Sequence, residues 1–433
     1  MQKLKPVVLG VALVALLVLP LTAAIPTGKP EESGVSSDRL HRISELMQRQ
    51  IEARNFSGAV TLVARHGRIV HHEAHGLMDL EAKKPMQKDA IFRIMSMTKP
   101  IVGSAVLMMM EEGKVRLNDP VSRFIPEFRD LKVAVAMPAA AGRGGPPPAA
   151  GGRGGAPPAP QFYTVPADRQ ITVRDLLTHT SGLTSGTMSN GAARGLGAKP
   201  NETLADYLPR LGNVPLEFQP GTRWAYSAAD GFDVLSRIVE VASGMPINRF
   251  LQQRLFDPLG MKDTTYIPPN GNLRLAKLYS RTADGLRPQN DPGFMNGVYF
   301  SGGGGLFSTA EDYVQFGQML LNEGQLNGKR ILSPRAVEMM RSMYASDTLP
   351  GRPRGEGYGL SVRVVVDPVA RNTFLSAGSY GWSGLFGTHF WVDPKEKVVG
   401  VLMAQTSPQG VREDYENVVT QAIVGLPTAT GTN

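Results

Sequence analysis

The chain has 433 residues, of which 42% are hydrophobic and 19% charged, a composition typical of a globular protein with a large buried core. The net charge of +8 is spread along the sequence without basic runs interleaved with aromatic residues, so it indicates no nucleic-acid partner. The absence of cysteine excludes disulfides, a thiol nucleophile, a lipid-modified cysteine anchor and any cysteine-ligated metal site.

Residues 1–24 have the layout of a secretory signal peptide. The basic start "MQKLK" precedes the apolar stretch "PVVLGVALVALLVLP" and the small-residue segment "LTAA", which predicts cleavage after Ala23 or Ala24. The apolar stretch is short for a membrane span and contains a glycine and a proline, so cleavage is favoured over an uncleaved anchor. We therefore expect a periplasmic or secreted protein without a membrane span, or a membrane-anchored one if the segment is retained.

Strands are predicted near both ends of the mature chain, residues 25–433. An amphipathic helix at 37–54 is followed by the hairpin "GAVTLVARHGRIVHHEA" at 58–74. Because a lone hairpin is only marginally stable, we expect it to form one sheet with distant strands. These strands are predicted at 360–367, 385–393 and 397–404, and a last helix at 411–424.

The length favours two lobes over a single compact core. We expect an α/β lobe from residues of about 35–85 and 300–425, and a mainly helical lobe over about 86–299. Within the helical lobe, residues of about 134–161 are mostly Ala, Gly and Pro, which predicts a disordered surface excursion. Arg143 and Arg153 leave a partner or cell-wall contact open, but a tolerated insertion is favoured.

The segment "IFRIMSMTKP" contains a candidate nucleophile, Ser96, at the start of a predicted buried helix. Lys99 lies three positions on, on the same helical face, and as a neutral amine in a dry pocket it can accept the serine proton. The helix N-terminus offers backbone N–H groups to a developing oxyanion. The alternative is that Ser96 is only a helix cap.

Two further segments supply candidate partners for Ser96. Tyr226 lies just before a predicted helix, where a phenol near a lysine can shuttle protons, although a merely packed tyrosine is the alternative. Trp382, Ser383 and Gly384 lie at the start of a predicted strand, whose small residues allow the strand edge to approach a substrate. The stretch "SGGGGLFSTAEDYVQFGQML" fits no nucleotide-binding fingerprint, so this loop is predicted to be structural.

The motifs and their context resemble the serine β-lactamase and penicillin-binding-protein superfamily. The likeness is strongest to the class C β-lactamase-related branch, especially the esterases called family VIII, and it covers nearly the whole mature chain except the excursion. It rests on "GKVRLNDPVSRFIPEF", "ITVRDLLTHTSGL", "RLFDPLGMKDT" and the ordered motifs Ser96-Met97-Thr98-Lys99, Tyr226-Ser227-Ala228 and Trp382-Ser383-Gly384. The resemblance implies an α+β, β-lactamase/transpeptidase-like fold, with an antiparallel sheet flanked by helices from both chain ends and an inserted helical lobe.

The resemblance also implies roles for individual residues. Ser96 would be the acylated nucleophile, Lys99 its base or the partner of the base, and Tyr226 the second proton-transfer group. The backbone N–H groups of Ser96 and Leu385 would form the oxyanion hole. No cofactor and no metal are implied.

Two departures from the family pattern bear on the substrate. Ala228 replaces the asparagine of the usual Tyr-x-Asn, and Trp382 replaces the cation of Lys-Thr-Gly or His-x-Gly; matching Ser379-Tyr380-Gly381 instead also loses the cation. Losing both contacts should weaken selectivity for carboxylated peptides, and an apolar slot at Trp382 fits a small acyl ester better.

We therefore expect an exported serine hydrolase, a carboxylesterase acting through an acyl-enzyme on a small-molecule ester. The alternatives are a D-Ala-D-Ala carboxypeptidase or weak class C-type β-lactamase with a peptidoglycan-like substrate, and, less favoured, a catalytically idle cell-envelope binding protein.

Histidines elsewhere offer two other interpretations. His71, Glu73 and His75 would share one face of a strand, where an exposed polar face is favoured over a zinc site. His179 is expected to fix a loop by a hydrogen bond rather than to serve a catalytic triad, because the chain has no Gly-x-Ser-x-Gly elbow.

Overall fold

A computed structural model describes residues 24–138, 161–268, 271, 273–406 and 410–425. The predicted signal peptide up to Ala23, together with Arg143 and Arg153, lies outside these residues. Across the described ranges, no helix combines the length and the apolar character needed to cross a bilayer.

The main sheet has eight antiparallel strands, numbered here in chain order. Their spatial order is β4-β5-β6-β7-β8-β1-β2-β3, so β1 pairs with β8 and joins the two ends of the chain. The prediction that both ends build one sheet is confirmed. The strands are β1 Gly58–Arg65, β2 Arg68–Asp79, β3 Lys84–Pro85, β4 Glu356–Tyr358, β5 Arg363–Val365, β6 Tyr380–Ser383, β7 His389–Asp393 and β8 Val398–Ala404.

Helices cover both faces of the sheet, which is why every residue of β1 is buried. The predicted terminal helices are confirmed as α1 and α12, which pack together on one face, while α9 packs on the other face. The helices are α1 Ser37–Glu52, α2 Thr98–Glu111, α3 Val173–Leu177, α4 Thr187–Ala192, α5 Leu204–Tyr207, α6 Asp230–Ser243, α7 Ile247–Leu251, α8 Asp257–Leu259, α9 Ala310–Leu321, α10 Pro334–Arg341, α11 Pro368–Arg371 and α12 Val411–Thr420.

Shorter elements connect these helices and strands. Five 3₁₀ turns and one π-helical turn are described, at Glu31–Ser33, Met95–Met97, Val121–Arg123, Pro126–Phe128, Leu208–Asn213 and, for the π turn, Gln252–Phe256. Four small two-stranded pairs lie outside the main sheet: Phe92–Arg93 with Phe307–Ser308, Lys132–Ala136 with Phe162–Pro166, Tyr279–Thr282 with Gly285–Pro288, and Gln325–Leu326 with Lys329–Arg330.

The predicted excursion at 134–161 begins too early. Ala134 and Ala136 belong to the strand Lys132–Ala136, which pairs antiparallel with Phe162–Pro166. The pattern "KVAVA" alternates valine with smaller residues, and Val133 is buried, so this part of the segment forms a ladder in spite of its small residues. Residues 139–160 lie outside the described part of the chain.

The predicted strand 385–393 is also wrong at its start. Trp382 and Ser383 end β6, and the chain turns through Gly384–Thr388 before β7 begins at His389. Gly387 adopts φ 91°, a left-handed conformation that favours glycine, and the Gly384 N–H donates to the Thr388 carbonyl across the turn. Leu385 therefore lies in a hairpin turn, where 56% of its surface is exposed.

One apolar cluster extends from the sheet into the helical segment. It contains Leu62 and Val399 from the sheet, Phe316 from α9, Ile101 from α2 and Phe232 from α6. The expected two lobes thus share a continuous core, because α9 packs on the sheet and α2 packs on α6 within the same cluster.

Candidate active site

Ser96 lies in a tight turn at the start of α2, as the sequence predicts. The 3₁₀ turn Met95–Met97 runs directly into the helix, and Met95 adopts the left-handed φ of 48° that is uncommon for a residue with a side chain. The Tyr313 hydroxyl donates to the Met97 carbonyl at 2.7 Å and fixes this turn from α9. The first N–H groups of a helix have no partner within it, so the Ser96 N–H is a candidate donor to a ligand.

Lys99 lies behind Ser96 with its side chain fully buried. Its Nζ donates to Ser96 Oγ at 3.2 Å, to the Ala228 carbonyl at 2.6 Å and to the Gly303 carbonyl at 2.7 Å. The two carbonyls hold the amine in place, so the third interaction is aimed at the serine oxygen. Ala228 therefore contributes its backbone to the site, while its side chain is exposed.

Tyr226 completes the group around Ser96. Its hydroxyl donates to Ser96 Oγ at 2.7 Å, and Lys99 Nζ lies 4.9 Å from the centre of its ring. Burial opposes ionisation of the phenol, but the charge and hydrogen bond of Lys99, with the bond to Ser96, outweigh it and lower the pKa of Tyr226 below its ordinary value of 10. The arrangement places a proton-transfer group of lowered pKa on the candidate nucleophile.

The glycine-rich loop, predicted to be only structural, contacts the site through Gly303. Its carbonyl holds Lys99, and its N–H donates at 2.9 Å to the buried carboxylate of Asp233 on α6. A Cβ at Gly303 would lie 2.5 Å from the Ala229 Cα, so only glycine fits there. Sequence reasoning missed this contact because a glycine carbonyl leaves no side-chain signal.

Gly384 brings the hairpin turn after β6 against the nucleophile turn. A Cβ at Gly384 would lie 2.2 Å from the Ile94 carbonyl, and Thr388 Oγ1 donates to the same carbonyl at 3.0 Å. Within the described residues, the Leu385 N–H donates to no protein acceptor, so it is available to a ligand. The expected close approach of this strand edge is therefore present, at the end of β6.

Aromatic side chains form one wall of the site. The ring centre of Trp382 lies 5.6 Å from that of Tyr226 and 5.1 Å from that of Tyr358. These contacts fix the indole beside the serine and make this wall apolar. The wall bounds a cavity of about 540 Å³, lined by Ser96, Tyr226, Pro353, Glu356, Arg363, Arg371, Trp382, Ser383, Gly384, Leu385, Arg412 and Glu413.

A chain of hydrogen bonds runs from Ser383 into the protein. Ser383 Oγ lies 2.9 Å from His389 Nδ1, and His389 Nε2 lies 2.9 Å from Glu416 Oε1. Burial opposes ionisation of Glu416, but the Arg363 charge and the His389 hydrogen bond outweigh it and lower its pKa to about 2. The ionised carboxylate accepts a hydrogen bond from the Nε2–H of a neutral imidazole, because burial lowers the pKa of His389. Nδ1 therefore accepts from the Ser383 hydroxyl, and the serine presents its lone pairs to the cavity.

Arginines missing from the sequence motifs also line the cavity. Arg412, in the first turn of α12, donates to the Gly384 carbonyl, whereas Arg363 pairs with Glu416 and Arg371 with Glu356. The cation of the family's third motif is absent at Trp382, as the sequence indicates, but packing of α12 on the sheet brings a different cation, Arg412, to the cavity. No motif marked Arg412, since its place depends on that packing.

His179 lies in the loop after α3 and does not contact Ser96. It is buried, and its Nδ1 accepts from the Ser227 N–H at 3.3 Å, while its ring centre lies 4.7 Å from that of Tyr226. Burial, with the nearby charge of Lys99, lowers the pKa of His179 well below 6.5. The prediction of a loop-fixing hydrogen bond is confirmed.

Comparison with known proteins identifies the family of this fold and site. A family model described as beta-lactamase matches residues 43–423. The chain belongs to the beta-lactamase family. The predicted superfamily and the α+β fold are thus confirmed, and the chain is a serine hydrolase of this family.

Relatives within and around the beta-lactamase family include esterases. Protein Rv1367c of Mycobacterium tuberculosis is 35% identical over 389 residues, which are 86% of this chain and 90% of that protein. Esterase EstB of Burkholderia gladioli is 30% identical over 397 residues, 86% of this chain and 91% of EstB. The structure of EstCE1, a hydrolase with promiscuous acyltransferase activity, matches with a TM-score of 0.71 and 27% identity, over 90% of this chain and 99% of EstCE1.

Proposed function

We propose that the protein is an exported carboxylesterase that hydrolyses small acyl esters through an acyl-enzyme on Ser96. The observation that carries this proposal is the pair of hydrogen bonds on Ser96 Oγ, from Tyr226 at 2.7 Å and from Lys99 at 3.2 Å. A serine hydroxyl is a weak nucleophile unless an adjacent group takes its proton, and both neighbours are positioned for that transfer.

In the proposed acylation, the phenolate form of Tyr226 takes the Ser96 proton while Oγ attacks the ester carbonyl carbon. The N–H groups of Ser96 and Leu385 stabilise the oxyanion, as backbone donors do in other acyl-transfer enzymes. The ester C–O bond then breaks, and Tyr226 returns the proton to the leaving alcohol. Lys99 supports the phenolate with its charge throughout.

Deacylation runs through the same groups. Tyr226 takes a proton from water, the hydroxide attacks the acyl carbonyl, and the bond to Ser96 Oγ breaks as the serine recovers its proton from Tyr226. The products are the free acid and the original enzyme. The first and the last proton transfers of the cycle use the hydrogen bond between Tyr226 and Ser96.

Three features favour esters over β-lactams and peptides. Ala228 provides no side-chain amide for a substrate amide, and Trp382 makes one wall of the cavity apolar. Ser383 presents lone pairs, which oppose a substrate carboxylate at that place. The similarity to EstB and EstCE1 supports the same choice.

The discriminating experiment compares turnover of p-nitrophenyl butyrate with turnover of a chromogenic cephalosporin, for the wild type and for Ser96→Ala. We expect the ester to have the higher kcat/KM, and we expect Ser96→Ala to lose both activities. Faster cephalosporin turnover would refute the ester preference, whereas ester turnover that survives Ser96→Ala would refute the nucleophile.

Export rests on residues 1–24 alone, so it needs its own test. Expression of the full chain in a diderm bacterial host, followed by fractionation and intact-mass measurement, should give a periplasmic protein that begins at Ala24 or Ile25. A full-length protein found in the membrane fraction would contradict cleavage and show that residues 1–24 anchor the protein.

A further inference from the structure

A second polar cluster lies on β2, and none of its residues lines the Ser96 cavity. His71, Glu73 and His75 alternate along the strand and so project from one face. One possible ligand atom from each residue lies within 4.8 Å of the others. The three side chains therefore lie close together on one face, as the alternation of a strand predicts.

The surroundings of this cluster are more enclosed than the sequence indicates. His71 is only 8% exposed, so the expected exposed polar face is wrong at this position. Thr61 of the neighbouring strand β1 lies beneath the two histidines, and Ser44 of α1 contacts Glu73 from the side. His75 is half-buried and Glu73 exposed, which leaves the cluster open to solvent on one side.

The two imidazoles point at one position. His71 Nε2 lies 2.8 Å and His75 Nε2 lies 2.9 Å from the same oxygen, Thr61 Oγ1. A hydroxyl has a single proton, so one imidazole must donate to Thr61 while the other accepts from it. Two nitrogens that converge on one hydroxyl in this way can instead bind one cation together.

The carboxylate is oriented as well. Ser44 Oγ donates to Glu73 Oε2, which fixes the side chain and leaves Oε1 outside that hydrogen bond. A hydrogen bond to the second oxygen of a ligating carboxylate is a common support for metal sites.

We propose that His71 Nε2, His75 Nε2 and Glu73 Oε1 bind a divalent transition-metal ion of the Zn²⁺ class. Two imidazoles and one carboxylate suit zinc better than Ca²⁺ or Mg²⁺, which prefer oxygen ligands. With bonds of about 2.1 Å, tetrahedral geometry places the two nitrogens about 3.4 Å apart. The possible ligand atoms already lie within 4.8 Å of one another, so small ring rotations reach this geometry. Water on the open side completes the coordination.

The site links β2 to α1 through Glu73 and Ser44. Metal binding should therefore raise the stability of the protein and leave its rate of ester turnover unchanged. Metal-free protein without a histidine tag, titrated with ZnCl₂ in a calorimeter, should bind one ion per chain. Saturation should raise the Tm by about 2–4 °C, and Co²⁺ in place of zinc should give the visible absorption bands of a four-coordinate ion. Hydrolysis by Ser96 should be unchanged.

The strand offers a matched control. His72 projects from the opposite face and lies 3.5 Å from Glu311 of α9, so His72→Ala should bind zinc like the wild type. His75→Ala, which truncates a half-buried side chain, should weaken binding at least tenfold, and Glu73→Gln should weaken it as well. No stoichiometric binding to the wild type would overturn the proposal, as would binding that is unchanged in His75→Ala.

Discussion

The Tyr226 hydroxyl donates a 2.7 Å hydrogen bond to Ser96 Oγ, although 130 positions separate the two residues in the chain. Lys99 Nζ donates to the same oxygen and lies over the Tyr226 ring. The serine oxygen thus has one partner that can exchange a proton and another whose charge favours the phenolate. This coupling predicts how activity depends on pH.

Tyr226→Phe should lower kcat by about 10²–10⁴-fold, because it removes the group that transfers the Ser96 proton. In the wild type, the pKa of Tyr226 is lowered below 10. The value of kcat/KM should therefore rise with pH as the phenolate forms, and it should reach its plateau at a pH below 10. The pH dependence of p-nitrophenyl butyrate hydrolysis measures both effects.

The residual activity of Tyr226→Phe should lack this rise with pH. If the variant kept the wild-type pH profile at a reduced rate, the ionising group would be another one, and Lys99 would be the base. Circular dichroism should show that the variant is folded, since phenylalanine keeps the ring contacts with Trp382 and His179.

Gly303→Ala should displace the loop that holds Lys99. The new Cβ would lie 2.5 Å from the Ala229 Cα, so the backbone must shift and carry its carbonyl away from the amine. A displacement near 1 Å at such a site costs about 10²-fold in rate. Steady-state kinetics should show the loss in kcat.

The adjacent glycine is the control for that substitution. A Cβ at Gly304 would meet its nearest neighbour, the Met95 backbone, at 3.5 Å, which is an ordinary contact. Gly304→Ala should therefore hydrolyse esters near the wild-type rate. Equal losses in the two variants would mean that general loop stiffness, and not the Gly303 contact with Lys99, sets the rate.

Glu416→Gln should reduce the free energy of unfolding by about 3 kcal/mol at neutral pH. The carboxylate pairs with buried Arg363 and His389, and its pKa falls from 4.5 to about 2 on folding, which corresponds to that energy. Because the folded pKa is the lower one, the wild-type advantage is complete above pH 4.5 and disappears as the pH falls toward 2. Urea unfolding over that range measures it.

Glu413→Gln, on the same helix, is the comparison. The Glu413 side chain is half exposed and lies 3.8 Å from Arg371, so its loss should cost less than about 1 kcal/mol. A similar destabilisation by both variants would show that helix charge, and not the buried pair, explains the Glu416 effect.

Ser383→Ala should relax discrimination against carboxylated esters. The wild-type hydroxyl donates to His389 and turns its lone pairs to the cavity, which repels a carboxylate. Removing it should raise the kcat/KM of a singly charged ester, such as a succinate monoester, relative to that of a neutral ester by about tenfold, a factor that corresponds to the free energy of about one hydrogen bond.

Ser379→Ala is the matched control for the Ser383→Ala substitution. Ser379 precedes β6, is buried, and does not line the cavity, so this substitution should leave the substrate ratio unchanged. If Ser383→Ala and Ser379→Ala changed the ratio equally, the orientation of the Ser383 hydroxyl would not govern specificity.

Sequence reasoning predicts the local parts of this site best. Ser96 and Lys99 lie one helical turn apart, and helical spacing alone brings them together. The sheet follows from strand patterns at both chain ends, whose pairing is confirmed between β1 and β8. Family resemblance, and not spacing, singles out Tyr226, because its contact with Ser96 depends on the whole inserted segment.

The parts that sequence reasoning missed depend on tertiary packing. His389 lies beside Ser383 because the two are paired across the β6–β7 hairpin, and the sequence pattern predicts a strand where this hairpin turns. Glu416 and Arg412 reach the site only when α12 packs on the sheet. Gly303 acts through its carbonyl, which no side-chain motif can reveal.

The most direct test of the acyl-enzyme is to treat the protein with a fluorophosphonate and measure the intact mass and the labelled peptide. The wild type should gain one phosphonyl group per chain, located on Ser96, and should lose esterase activity in proportion to labelling. Ser96→Ala, folded and at the same concentration, should gain none. Labelling of another residue, or equal labelling of Ser96→Ala, would contradict the account.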